Sequence, residues 1–333
     1  MDDLVSILIP FYNCGRFLAE TIRSAESQSW ANHEIILVDD GSTDDSLAIA
    51  NSFRSSRIKV LLQPNQGAAA ARNTAMKQAQ GEWIQWLDGD DLLSPNKISA
   101  QMARFHATGN ADQLFSCAWG TFYYRPTAAR FFNSPLWQDL SPADWLCHKL
   151  DANVYMQTAT WLTSRSLAEK IGPWNEALKV DDDGEYFCRA VSQSAGVAFV
   201  PEAKVYYRKL GTSSLSTIGR MEHKRRSQWQ SMLTHMEHLR RLEDSPRTRE
   251  ACRKYVQLSM SIFYPESPEI VSEAALCLQS MGHELRMAAP SERLNLARKI
   301  LGSGSADQLR STLWLLRKTA AREWDHLLAL LGR

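Results

Sequence analysis

The sequence predicts an α/β protein with a Rossmann-like, mostly parallel sheet and helices on both faces, followed by an all-helical C-terminal region. Short apolar runs rich in β-branched residues alternate with helical patterns over the first hundred residues. Strands separated by helices of this length form right-handed crossovers and pair in parallel. Beyond about residue 215, strand patterns stop and only helical patterns continue.

Four strands are predicted in the N-terminal part of the chain. A continuous apolar run, typical of a strand buried on both faces, occupies residues 4–10, and further apolar stretches predict strands at residues 34–40, 58–62 and 82–87. Apolar spacing and helix start signals predict the intervening helices; these cover residues 15–29, a short stretch from about 44, residues 67–79, and a helix with Ser94 as N-cap and Pro95 in its first turn.

The chain is long enough for two domains. Residues 112–210 mix apolar stretches with helical patterns. We interpret them as further strands of the same sheet together with an additional segment outside it. We therefore predict a catalytic domain over residues 1–215 and a helical domain over residues 216–333, with the boundary near Ser216.

Composition excludes several classes of protein. A formal net charge of +1 over 333 residues gives no global field, so we expect no nucleic-acid partner. Six cysteines without a CxxC pair argue against zinc ribbons and a disulfide framework, and favour a reducing, cytoplasmic setting. We expect neither a signal peptide nor a membrane span.

The candidate site follows from the predicted sheet. Parallel sheets bind ligands beyond the carboxyl ends of their strands, so the loops at 10–13, 39–45, 63–67 and 88–91 are expected to share one crevice. Asp88 and Asp90 project to the same side if the fourth strand stays extended. Mg²⁺ or Mn²⁺ can hold two such carboxylates together. Taken alone, a solvated turn explains "DGDD" equally well.

Four motifs in order carry a family resemblance. They are "VSILIPFYN" at 5–13, "EIILVDDGSTD" at 34–44, "NQGAAAARNTAMKQAQGEWIQWLDGDD" at 65–91 and "DDDGEYFCRA" at 181–190. Together they resemble the family 2 glycosyltransferases, which have the GT-A fold and invert the anomeric centre of the sugar. The resemblance covers about residues 4–210 and leaves the helical tail outside.

The resemblance implies a nucleotide-sugar site and assigns roles within it. Pro10 and Tyr12 would line the base, Asp40 would accept a hydrogen bond from it, Asn65 and Arg72 would hold the nucleotide, Asp88 would contact the ribose or the metal, and Asp90 would be the principal metal ligand. Outside this context each residue has an ordinary structural explanation. Pro10 could end a strand, Asp40 could complement a helix dipole, and Arg72 could be a solvated helix residue.

The resemblance also implies one catalytic base on the acceptor side, because direct displacement needs no covalent sugar intermediate. We predict Asp183 for this role. Asp181 and Asp182 remain open, since three consecutive acids leave the register uncertain by one. An acidic helix start is the structural alternative.

One residue departs from the family pattern. Many relatives carry a histidine just after the "YYR" strand, where this chain has Lys209. A charged lysine cannot ligate a cation but could neutralise phosphate. The complete set of metal ligands is therefore not predicted.

We therefore expect a metal-dependent transfer of a sugar from a nucleotide-sugar donor, a UDP-sugar by family inference, to a hydroxyl of a glycan or lipid-linked acceptor in surface polysaccharide assembly. A nucleotidyltransferase is one alternative, although "PFYNCGRF" lacks the usual glycine-rich basic loop. A decayed transferase that serves as a glycan-binding or scaffold protein is the other. A nicotinamide dehydrogenase is disfavoured because no GxGxxG follows a strand.

The tail offers two partner surfaces. Residues 220–254 hold ten Lys or Arg against five Asp or Glu, a pattern typical of a solvated helix face or of peripheral contact with the inner face of a membrane. The last helix carries an apolar stripe that we expect to pack on tail helices or on a second subunit, with an interfacial membrane helix as the alternative; the stripe comprises Leu309, Leu313, Leu316, Ala320, Trp324, Leu327 and Leu331.

Overall fold

A computed structural model of the 333-residue chain describes residues 3–209, 221–286, 319 and 321–331. The predicted boundary at Ser216 lies outside these residues. So do the first four positions of the apolar stripe, from Leu309 to Ala320.

The described residues contain one sheet of nine strands. Along the chain these are β1 (Val5–Phe11), β2 (His33–Asp39), β3 (Ile58–Leu62), β4 (Trp83–Trp86), β5 (Leu92–Leu93), β6 (Leu114–Phe122), β7 (Arg130–Phe131), β8 (Leu162–Ser164) and β9 (Val197–Arg208). Their spatial order is β3-β2-β1-β4-β8-β6-β9-β5, with β7 beside β6.

The four predicted strands form the parallel half of this sheet. β1 pairs in parallel with β2 and β4, and β2 pairs in parallel with β3. The other half is mixed, because β8 runs antiparallel to both β4 and β6, whereas β6 and β9 pair in parallel. The sheet is therefore less uniformly parallel than the sequence predicts.

Ten helices have full bounds in the described residues. They are α1 (Gly15–Glu26), α2 (Ser46–Ser52), α3 (Ala68–Gln78), α4 (Lys97–Thr108), α5 (Pro142–Ala152), α6 (Arg165–Ile171), α7 (Asp182–Gln193), α8 (Glu222–Leu242), α9 (Pro246–Ser259) and α10 (Pro268–Ser280). A 3₁₀ turn spans Thr158–Thr160, and residues 321–330 are helical.

The start of α4 corrects one prediction. Asn96, not Ser94, is the N-cap residue of this helix. Leu92–Leu93 form β5 and pair with β9, and the Ser94 hydroxyl accepts a hydrogen bond from the Lys204 amide at 3.1 Å. Ser94 is thus part of the sheet edge, which delays the helix.

Alternate residues of the central strands face two apolar clusters, as the two-residue period of a strand requires. Ile7 and Ile9 face α1 and α4, whereas Leu8 faces the opposite cluster. That second cluster also contains Trp229 of α8 and Val256 of α9. The helical region therefore shares a core with one face of the sheet.

None of the described helices combines the length and the hydropathy that a bilayer crossing requires.

Candidate active site

The loops after β1, β2 and β4 meet at one edge of the sheet, as the sequence predicts. The Asn13 carboxamide oxygen accepts a hydrogen bond from the Thr43 amide at 2.8 Å, which joins the first two loops. The third loop packs directly against the first, because a Cβ on Gly89 would lie 2.9 Å from both Cys14 Sγ and Phe11 Cβ. Only glycine fits this close approach.

Asp40 holds the loop that follows β3. Its Oδ1 accepts hydrogen bonds from the Gln63 side chain at 2.8 Å and the Gln66 amide at 2.9 Å, and its Oδ2 accepts from the Gly67 amide at 2.8 Å. The buried Asp40 carboxylate therefore shapes the loop that carries Asn65. Its contact with a base stays a prediction.

The other nucleotide-side residues differ in exposure. Tyr12 and Asn65 are exposed. Pro10 is buried inside β1, opposite Val38 of β2 and beyond the last residue that pairs with β4. A proline is tolerated there because no partner on the β4 side requires its missing N–H.

Arg72 joins the two acidic halves of the site. Its buried guanidinium donates from Nη2 to Asp88 Oδ1 at 2.7 Å and from Nη1 to Asp182 Oδ2 at 2.8 Å. The same group lies 4.3 Å above the centre of the Trp174 ring. The planar fork of an arginine suits this double contact, which a lysine could not reproduce. The loop after β4 and the start of α7 are thereby held together.

Asp88 and Asp90 have the chemistry of a cation site. Burial and then the neighbouring Asp88 charge raise the pKa of Asp90 to about 7. A divalent cation would relieve this crowding, and Mg²⁺ commonly takes one or two carboxylates plus substrate phosphates. Within the described part of the chain, no group of three or more His, Cys, Asp or Glu side chains could hold a metal ion. A cation held by Asp88 and Asp90 would thus need further ligands, such as the phosphate oxygens of a substrate.

Three consecutive acids lie at the start of α7, and their environments separate them. Asp182 is paired with Arg72. Asp181 accepts hydrogen bonds from Gln228 and Ser231 of α8. Asp183 accepts from the Gly184 amide at 2.9 Å and, weakly, from the Thr158 hydroxyl at 3.4 Å. Burial and then the charges of Asp182 and Asp181 raise the pKa of Asp183 to about 7.

Asp91 is a structural residue that the sequence left unexplained. It is fully buried, and its carboxylate accepts hydrogen bonds from the Arg208 amide at 2.8 Å and from the Gln157 side chain. The Arg208 side chain donates in turn to the Asp90 carbonyl at 2.7 Å. The acidic loop is thus attached to β9 and to the 3₁₀ turn.

Sequence reasoning missed an aromatic group beside the acids. The Trp119 ring centre lies 5.1 Å from that of Tyr155 and 6.0 Å from that of Tyr207. Tyr155 is 53% exposed. Partial burial and then the charges of Asp183 and Asp91 raise the pKa of its hydroxyl. No periodicity or motif links these three positions in the sequence.

Trp174 lies in the core. It is buried and stacks on Tyr186 with 4.1 Å between ring centres. Lys209 follows β9, and its amide donates to the Phe122 carbonyl at 2.8 Å. Its contact with a diphosphate stays a prediction.

Comparison with known proteins identifies the family. Residues 6–171 match the model of "Glycosyl transferase family 2". The chain belongs to this family. A curated relative is the Escherichia coli protein WfaP, named a UDP-Glc:alpha-D-GlcNAc-diphosphoundecaprenol beta-1,3-glucosyltransferase. It is 47% identical over 102 residues, which cover 30% of this chain and 40% of WfaP.

Solved structures of glycosyltransferases share the fold. Staphylococcus aureus TarS 1–349 in complex with UDP-GlcNAc has a TM-score of 0.66 at 17% identity, covering 83% of this chain and 81% of TarS. The Pyrobaculum calidifontis mannosyltransferase PcManGT, in complex with GDP-Man and Mn²⁺, has a TM-score of 0.51 at 16% identity, covering 96% of this chain and 87% of PcManGT. This family 2 member therefore has the GT-A fold.

The chain spans about half the length of the first curated relatives that it matches.

Proposed function

We propose that this family 2 protein is an inverting, metal-dependent glycosyltransferase that moves a sugar from a nucleotide-sugar donor to a hydroxyl of a glycan or lipid-linked acceptor. One observation carries the proposal: Arg72 bonds both Asp88, beside the proposed metal ligand, and Asp182, beside the proposed base. Both ends of a displacement reaction are thereby held in one crevice.

Asp90, assisted by Asp88, would hold the divalent cation on the donor side. When bound, Mg²⁺ or Mn²⁺ stabilises the negative charge that grows on a leaving diphosphate. The loop that Asp40 organises would receive the nucleotide, with Tyr12, Asn65 and the wall formed by Pro10 around the base. Arg72 would keep Asp88 oriented while the donor binds.

Asp183 would accept the proton of the acceptor hydroxyl. A base works best when its pKa lies near the operating pH, because it must be deprotonated yet still basic. The pKa of Asp183, raised to about 7 by burial and by Asp182 and Asp181, meets this condition. Asp182 is a weaker candidate because its carboxylate is engaged by Arg72.

The acceptor sugar would lie on the aromatic group formed by Trp119, Tyr155 and Tyr207. An aromatic face offers apolar area, and a tyrosine hydroxyl offers a hydrogen bond at its edge. Tyr155 is exposed, and the charge of Asp183 contributes to the rise in its pKa. This position fits a sugar whose hydroxyl must reach the base.

The donor is proposed to be a UDP-sugar. TarS was solved with UDP-GlcNAc and WfaP is named for UDP-Glc, whereas PcManGT was solved with GDP-Man. The name of WfaP also supports a lipid-linked acceptor and a role in surface polysaccharide assembly. A cytoplasmic location, with the enzyme at the inner face of the membrane, fits these substrates.

A panel of UDP-, GDP-, TDP- and CMP-sugars, each with Mg²⁺ or Mn²⁺, tests the function through thermal shift and nucleotide release. We expect UDP-sugars to stabilise the protein only with metal. Asp90→Asn should lose metal-dependent donor binding, whereas Asp183→Asn should keep donor binding and lose transfer. No response to any donor with metal would reject the transferase function in favour of a binding or scaffold protein.

We further propose that residues 321–330 contact the membrane surface that carries a lipid-linked acceptor. Asp325 attaches this helix to the loop after β6, since its Oδ2 accepts from the Tyr124 amide at 2.9 Å and its Oδ1 from Arg125 Nε at 2.7 Å. Trp324, Leu327 and Leu331 are exposed. Arg208 donates hydrogen bonds to the Asp90 carbonyl and to the Tyr123 carbonyl in that loop. This side chain therefore connects the loop after β6 to the acidic loop after β4.

Sedimentation with anionic phospholipid vesicles tests this surface. Trp324→Ser combined with Leu327→Ser should release the protein from vesicles, whereas Leu276→Ser, at an exposed leucine of α10, should not. If the double variant binds vesicles as the wild type does but loses a concentration-dependent dimer, the helix is instead a subunit contact.

A further inference from the structure

One face of α8 is hydrogen-bonded to the three residues that precede Asp182 and Asp183, which are Lys179, Val180 and Asp181. That face of the helix carries Ser227, Gln228, Ser231 and His235. These contacts link the helical region to the loop of the proposed base, and none of them involves a nucleotide or metal residue of the donor side.

The backbone contacts come from Ser227. Its hydroxyl oxygen accepts hydrogen bonds from the Lys179 amide at 2.8 Å and the Val180 amide at 3.3 Å. Its hydroxyl proton can be donated to the Val180 carbonyl, also at 3.3 Å. One buried serine thus satisfies a backbone segment that belongs to neither a helix nor a strand, where unpaired polar groups would be costly.

The side-chain contacts converge on Asp181. Its Oδ2 accepts hydrogen bonds from the Ser231 hydroxyl at 2.7 Å and from the side-chain Nε2 of Gln228 at 2.9 Å. Asp181 has a left-handed backbone with φ of 58°, which is unfavourable for a residue other than glycine. A Cβ on Gly184 would collide with the Asp181 carboxylate. This side chain therefore fills the space beneath the first turn of α7, and the two donors keep it there.

A second layer orients Ser231. His235 Nε2 lies 3.1 Å from the Ser231 hydroxyl, and His235 Nδ1 lies 3.0 Å from the Tyr255 hydroxyl of α9. Tyr255 can donate to Nδ1, Nε2–H to Ser231, and Ser231 to Asp181. Each donor in this series of hydrogen bonds then has an acceptor, provided that the imidazole is neutral. His235 is completely buried, which favours the neutral form.

From this geometry we infer that the helical region positions the catalytic base: Ser227, Gln228 and Ser231, backed by His235 and Tyr255, fix the entry to α7 so that Asp183 faces the acceptor. The inference rests on the proposed function and assigns these residues a positioning role, since none of them touches substrate. It gives the C-terminal helices a part in catalysis, because small displacements of a catalytic group reduce the rate strongly.

Steady-state kinetics with donor and acceptor varied separately tests the inference. Ser231→Ala should lower kcat about tenfold or more, with donor affinity unchanged. Ser231→Thr, which keeps the hydroxyl, should restore most of the rate. Thr234→Ala is the matched control, because that hydroxyl bonds only the Ser231 carbonyl within α8. A Ser231→Ala enzyme with wild-type kcat would overturn the inference and leave the transferase function intact.

Hydrogen exchange supplies a readout that is independent of activity. In Ser227→Ala and Ser231→Ala, amides of residues 179–185 should exchange at least tenfold faster than in the wild type and in Thr234→Ala. Unchanged exchange would reject the positioning role even if no donor were found. Faster exchange together with inactive wild-type protein would reject the proposed function alone.

Discussion

Three consecutive acids, Asp181 to Asp183, lie at the start of α7, and each of them contacts a different neighbour. Arg72 neutralises Asp182, and α8 holds Asp181 under the helix start. Asp183 has a backbone amide and one distant hydroxyl as donors. Burial and the charges of Asp182 and Asp181 raise its pKa to about 7, which suits the proposed role as base.

The pH dependence of transfer follows from this raised pKa. Asp183 must be deprotonated to accept a proton, so kcat should rise with pH through about 7 and then level off. Initial rates at saturating donor and acceptor between pH 5.5 and 8.5 measure the midpoint. A profile that is flat across this range would exclude Asp183 as the titrating base.

Arg72 should influence both stability and that midpoint. Arg72→Met removes the partner of Asp88 and Asp182, so we expect the free energy of unfolding to fall by about 3 kcal/mol. The Arg72 charge also lowers the pKa of Asp183, so the midpoint of the kcat profile should move to higher pH in this variant.

Urea unfolding and the same pH series measure the two effects. Arg253→Met, which breaks a partly exposed pair with Glu250, should change the free energy of unfolding by less than about 1 kcal/mol. A midpoint that stays in place in Arg72→Met would contradict electrostatic control of Asp183 by this arginine.

At the scale of elements, the loop after β4 is held from two directions. Arg72 reaches Asp88 from α3, and Asp91 is bonded to the amide of Arg208 on β9. Gln157, just before the 3₁₀ turn, donates to the same Asp91 carboxylate. Asp91, the third acid of "DGDD", therefore serves to attach the loop.

Asp91→Ala should therefore act through the fold. It leaves two buried donors without an acceptor, which costs about 3 kcal/mol in the free energy of unfolding. Urea denaturation measures this loss, and Asp151→Ala, at an exposed pair with Lys254, should cost less than about 1 kcal/mol. Equal stability of Asp91→Ala and wild type would show that these hydrogen bonds contribute nothing.

At the scale of the whole molecule, one apolar cluster extends from the sheet through α7 to α8 and α9. Trp229 is buried in it and donates from Nε1 to Glu273 of α10 at 2.8 Å. We propose residues 1–215 and 216–333 as domains by sequence pattern, yet the shared core predicts that they unfold together.

Trp229→Ala tests this coupling. We expect the free energy of unfolding to fall by about 3 to 5 kcal/mol, as for other buried aromatic residues. Circular dichroism and tryptophan fluorescence should still follow one coincident transition in urea. Two separate transitions in the wild type would show that the helical region is an independent unit.

The predicted elements that agree best with the structure are those with strong local patterns. The apolar runs at 58–62 and 82–87 correspond to β3 and β4. β4 is buried along its whole length, as expected for a central strand, whereas β3 is an edge strand in which Ile58 and Val60 are buried. β8 has only three residues and runs antiparallel between longer strands. Its direction depends on its neighbours, so no local pattern indicated that this half of the sheet is mixed.

By itself, the sequence determined the parallel half of the sheet, the edge at which its loops meet, and the family to which the chain belongs. These properties follow from apolar periodicity and motif order, which act over short distances along the chain. Tertiary structure alone decided which acid bonds which partner: Arg72 meets Asp182 across 110 positions, Asp91 meets Arg208 across 117, and Asp181 meets Ser231 across 50. Hydrogen bonds between side chains so far apart depend on how the elements pack, and no local pattern encodes that packing.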